Sequence, residues 1–130
     1  MKDSDKPGSD PLVMPWLFSK RFREEAPEKI RDIRARFAQG YLARNSNAFE
    51  RQLKANVEHN LKGRLKTIAA PTLILVGQDD PLTPPKLATE LHSEIPHSEL
   101  VVLESGGHGL YWEVPHLFNQ TVLDFLNRHS

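Results

Sequence analysis

Residues 68–104 read IAAPTLILVGQDDPLTPPKLATELHSEIPHSELVVLE, and the turn that follows, residues 105–109, reads SGGHG. Residues 72–76 form an almost unbroken apolar run between Pro71 and Gly77, the pattern of a strand covered on both faces in a parallel sheet. Residues 100–103 are a shorter run of the same kind. Between them, Leu87, Leu91 and Ile95 recur every four residues, and Thr83 with Pro84 and Pro85 marks the start, so the spacing predicts a helix with one apolar stripe. Strand, helix and strand in that order make a βαβ crossover, with two parallel strands ending on the same edge of the sheet.

That topology decides where chemistry can sit. Gly77, Gln78, Asp79 and Asp80 leave the C-terminal end of the first strand, and Gly106, Gly107, His108 and Gly109 lie just beyond the end of the second. Both turns open on the edge where α/β sheets bind ligands. An Asp and a His meeting there can pair so that the carboxylate accepts from one ring nitrogen and leaves the other to act as a general base.

Outward from this unit, residues 12–18, LVMPWLF, form a compact apolar and aromatic cluster broken by Pro15. Met14, Trp16 and Phe18 in it either pack on a neighbouring lobe or face a substrate cleft. Residues 27–44 read as a helix opening at Pro27 with Ile30, Ile33, Phe37 and Tyr41 on one face. Asn47 and Glu50 have the spacing of a capping pair for a second helix carrying Phe49, Leu53 and Val57. After His108, Pro115 suits a first helical position, and Phe118, Val122, Phe125 and Leu126 supply the stripe of a terminal helix. Residues 1–11 are polar and rich in turn formers, and are expected to be a disordered stretch or linker.

Composition removes several classes of function. Lys plus Arg equals Asp plus Glu at 17 each, and the basic residues 20–36 are interleaved with acids and lack stacking aromatics, so nucleic-acid binding is not expected. No apolar run approaches the length of a membrane span, no leader-like segment is evident, and a cytoplasmic setting is expected. Without cysteine there is no disulfide, thiol nucleophile or Cys-rich zinc site. The six histidines show no zinc-ligand spacing, and neither a metal nor a cofactor is implied. Two strands make a poor isolated sheet, so the sheet is expected to be completed by another chain or by a further segment of a longer protein.

ILVGQDDPLTP, followed some two dozen residues later by LVVLESGGHGLYWEVPHLFNQTVLDFL, resembles the C-terminal portion of the α/β-hydrolase superfamily, in its lipase, esterase and enol-lactonase-like branch. The similarity covers residues 61–127, and less specifically residues 12–60, which resemble the end of the family's helical lid. It implies an α/β fold whose core portion is residues 61–130, with residues 12–60 as part of the lid. Asp80 matches the catalytic acid and His108 the catalytic histidine, while Met14, Trp16, Phe18, Leu110 and Trp112 are the candidate substrate-binding residues. The family's G-x-S-x-G elbow and oxyanion segment precede the lid and are not in this sequence; Ser105, in E-S-G-G-H, has the wrong context for an elbow. The resemblance thus implies hydrolysis of an ester, lactone or related carbonyl substrate, with the serine supplied from a segment or partner outside the chain. The alternative is a noncatalytic fragment or interaction domain that completes its sheet with another chain.

Overall fold

A computed structural model describes residues 13–41, 46–61 and 63–130. The expected linker, residues 1–11, lies outside the described residues. The described residues begin with helices α1 (Met14–Leu17), α2 (Lys20–Glu25), α3 (Pro27–Tyr41) and α4 (Ser46–Glu58). A 3-10 turn, Leu65–Thr67, leads into β1 (Thr72–Gly77), α5 (Pro85–Glu94), β2 (Ser98–Leu103), α6 (Leu110–Glu113) and α7 (Pro115–Arg128).

β1 and β2 pair in parallel, with Thr72 opposite Ser98 and Gly77 opposite Leu103, and α5 packs against both as the crossover. This is the βαβ unit that the apolar runs and the intervening stripe predict. Pro85 opens α5 at a position where its missing N–H costs nothing, and Ile95 closes the helix by donating its backbone N–H to Leu91 O at 3.0 Å.

Which side chains are covered departs from the sequence pattern. On α5 the buried residues are Ala88, with Ile95 just beyond the helix end, while Leu87 and Leu91 are 43% and 41% exposed. β1 is buried only at Val76 and Gly77, and on α7 Phe125 is buried whereas Leu126 is exposed. Two strands and the helices around them do not supply enough surface to cover every apolar face that a larger sheet would cover.

The helical segment has its own cluster, Met14, Phe18, Phe22, Ile30 and Ile33, against which Leu17, Ala26 and Trp112 pack. Phe18 and Phe22 meet as tilted rings 5.6 Å apart. Ser19 caps α2, its Oγ accepting from Phe22 N at 3.1 Å. α3 opens at Pro27 as its sequence indicates, but Phe37 is exposed, and the Tyr41 side chain lies outside the described residues. α4 begins at Ser46, one residue before Asn47, and Phe49, Leu53 and Val57 are exposed on it. Among the described residues no helix is long and apolar enough to cross a membrane.

Candidate active site

The β1 turn and the β2 turn are tied together by backbone. Gln78 N donates to Leu103 O at 2.9 Å and Asp79 N to Gly106 O at 3.1 Å, carrying the parallel ladder past the strand ends. This close approach needs glycine at 77, where an added Cβ would stand 2.1 Å from Gly106 O. Gly106 has φ +114, in the region that side-chain-bearing residues avoid.

Asp80 Oδ2 and His108 Nδ1 meet at 3.0 Å across these turns. The carboxylate is held from its other side as well. Asp80 Oδ1 accepts from Leu82 N and Thr83 N, each at 2.9 Å, and Oδ2 also accepts from Thr83 Oγ1 at 2.8 Å. Burial pushes the Asp80 carboxyl toward the neutral form, but the Thr83 backbone and hydroxyl donors, His108 and the Leu82 N–H outweigh it together, so its pKa is lowered and the group is ionised at neutral pH.

The imidazole is oriented by the same contacts. With Thr83 Oγ1 committed to Asp80 Oδ2, the proton between Asp80 and His108 belongs on Nδ1, which leaves Nε2 as the basic nitrogen. The Asp80 side chain is 6% exposed and the His108 side chain 42% exposed, so the acid is buried behind a base that is open to solvent. Among the described residues no hydrogen bond occupies Nε2. Asp79 lines an open cavity of about 570 Å³ with Pro15, Phe18, Ser19, Arg23 and Pro81. Among the described residues, no three His, Asp or Glu side chains gather as a metal-ligating group.

A family model described as TAP-like protein, an α/β-hydrolase family, matches residues 43–130. The chain belongs to this family. This TAP-like chain is 44% identical over 63 residues to 2-hydroxy-6-oxononadienedioate/2-hydroxy-6-oxononatrienedioate hydrolase 2 of Pseudomonas putida, a match covering 48% of the chain and 22% of that protein. Among solved structures it superposes on MGS-M2, an α/β-hydrolase enzyme from a Medee basin deep-sea metagenome library, with TM-score 0.78 and 26% identity over 89% of the chain and 42% of that structure. It superposes on the enol-lactonase from Burkholderia xenovorans LB400 with TM-score 0.77 and 25% identity, covering 89% of the chain and 43% of the enol-lactonase. The TAP-like chain therefore spans less than half the length of each.

The other candidate residues of the TAP-like chain divide by burial. Met14, Phe18 and Leu110 are buried, and Phe18 also borders the cavity beside Asp79. Trp16 is 55% exposed, and Trp112 is half-buried against the helical cluster. Sequence reasoning treated Thr83 only as a helix-start signal and missed its part in the site. An Asp followed by a threonine three residues on, across a proline, is the local signal that could have found it, because short side chains in such turns bond the backbone two and three residues away. Ser19 and Glu113 were missed altogether, although they join segments 94 residues apart.

Proposed function

We propose that Asp80 and His108 are the acid and the general base of a serine hydrolase acting on an ester, lactone or related carbonyl compound, with the nucleophilic serine and oxyanion donors supplied by an N-terminal α/β-hydrolase segment or another chain. The reading stands on the 3.0 Å contact between Asp80 Oδ2 and His108 Nδ1, with the second ring nitrogen left open. The esterase and enol-lactonase chemistry named for solved relatives supports the substrate class.

In this mechanism His108 Nε2 takes the serine proton as the oxygen attacks the carbonyl carbon. Asp80 stays ionised and steadies the imidazolium through Nδ1. Oxyanion donors hold the tetrahedral intermediate, which collapses as Nε2 returns the proton to the leaving oxygen. Water then attacks the acyl-serine by the same route in reverse. Residues 12–60 form part of a lid over this edge, in which Trp16 and Phe18, together with Leu110 and Trp112 of the core portion, combine packing with shaping of the acyl site, and Met14 backs them.

A chimera tests this reading, with residues 13–130 replacing the matching C-terminal portion of the B. xenovorans enol-lactonase. It is expected to hydrolyse a chromogenic acyl ester and to lose that activity on His108→Ala. A folded chimera whose turnover is indifferent to His108→Ala contradicts it.

A further inference from the structure

Glu113, at the end of the short helix α6, has a carboxylate that meets two distant parts of the chain at once. Oε1 accepts from Gly107 N at 2.9 Å and from Ser19 N at 2.8 Å. Oε2 accepts from Ser19 Oγ at 2.6 Å. Gly107 is the residue immediately before His108, and Ser19 is the cap of α2. One further bond closes the same junction: Gly109 N donates to Leu17 O at 2.7 Å. The residues on both sides of His108 are therefore gripped by the 17–19 segment, one through Glu113 and one directly.

The fit is close enough to exclude side chains. A Cβ on Gly107 would stand 2.8 Å from Ser19 N and 2.9 Å from Glu113 Oε1, and one on Gly109 would stand 2.5 Å from the Phe18 ring. Ser19 is itself buried, so its N–H and hydroxyl depend on Glu113 for acceptors. A helix cap of this size does not need a carboxylate from the far end of the chain, since Ser19 already satisfies Phe22 N by itself. What the carboxylate adds is a fixed distance between the cap and the backbone that carries His108.

We propose that Glu113 is a positioning residue for the general base, holding Gly107 against Ser19 so that the α1–α2 segment sets where the His108 ring stands relative to Asp80. This deepens the reading of His108 as the base and rests on it. The role belongs to an acceptor at one distance, not to a charge. A glutamine keeps Oε1 for both backbone donors, including Gly107 N, on which the role rests; its amide donates to the spare lone pair of Ser19 Oγ, and only the Ser19 hydroxyl proton loses its acceptor. An aspartate keeps the charge but is shorter by about 1.5 Å, one carbon–carbon bond, and cannot span both partners.

The test is proton NMR of the His108 Nδ1–H hydrogen-bonded to Asp80 in the whole 130-residue chain, comparing the parent with E113Q, E113D and E113A, and with D80N to assign the signal. The parent is expected to show the signal and D80N to lose it. E113Q is expected to keep it, while E113D and E113A lose it with the β1 and β2 amide resonances still in place. Loss in E113Q, or retention in E113D or E113A, overturns the proposal while leaving the Asp80–His108 pair intact. Absence of the signal from a parent whose β1 and β2 amide resonances are in place overturns the pair, and the proposal with it. If E113A unfolds, the contrast between E113Q and E113D decides alone.

Discussion

Asp80 and His108 lie 28 residues apart in sequence and 3.0 Å apart in space, because β1 and β2 are parallel neighbours and each ends in a turn on the same edge. Asp80→Asn removes the charge that stabilises the imidazolium and permits the wrong ring tautomer. In the hydrolase chimera it is expected to lower kcat by about 10⁴, as loss of the acid does in other triads. Steady-state kinetics on D80N check this, with KM expected to change far less than kcat.

Acid should weaken the fold through the same carboxylate. The folded-state pKa of Asp80 is below the ordinary aspartate value of 3.8, so between the two values the unfolded chain binds more protons than the folded one. The contribution is fully present above the unfolded value and is lost as pH falls through the folded one. Urea midpoints measured downward from about pH 6 should fall more steeply for the parent than for D80N once pH drops below the ordinary aspartate range.

Thr83→Val keeps the shape of the side chain and removes the hydroxyl that donates to Asp80 Oδ2 at 2.8 Å. The expected cost is about 1 kcal/mol, the usual net worth of one hydrogen bond, read from denaturant unfolding. Asp80 retains its two backbone donors, so the loss of activity in the chimera should be much smaller than for D80N.

Gly77→Ala places a methyl group 2.1 Å from Gly106 O and forces the two turns apart. Gly63→Ala is the contrast: nothing lies within 4 Å of the added Cβ, but φ is +79. Thermal unfolding should show the first costing about 3 kcal/mol, the upper end for overpacking, and the second about 1 kcal/mol, the cost of a left-handed residue.

The helical cluster gives a further pair of expectations. Phe18 is 2% exposed and packs on Phe22, so Phe18→Ala should cost about 3–5 kcal/mol. Trp16 is mostly exposed, and Trp16→Ala should stay within about 0.5 kcal/mol of the parent. If Trp16 also shapes the acyl site, W16A should alter KM for longer acyl chains in the chimera without altering stability.

The βαβ unit was legible because buried parallel strands are continuously apolar and their crossover helix repeats every four residues; topology brings the Asp79–Asp80 turn to the His108 turn, and the family resemblance, not the topology, picks Asp80 of the two acids. The facing of the helices was less legible. Leu87 and Leu91 suggest a buried stripe, yet Ala88 is the residue that α5 buries, since a periodic pattern fixes a face only up to the layer that covers it. The junction of Ser19, Gly107 and Glu113 leaves no periodic trace, because it is made by single polar groups 94 and 6 residues apart.

The most direct test of the central claim is the rate of acyl-ester hydrolysis by the enol-lactonase chimera with and without His108→Ala, both checked for folding by circular dichroism. If His108 is the general base, the parent chimera turns over ester and H108A loses about 10⁴-fold or more in kcat, with fluorophosphonate labelling of the elbow serine slowed in parallel. Equal turnover in the two, or a folded parent chimera with no turnover, would contradict it.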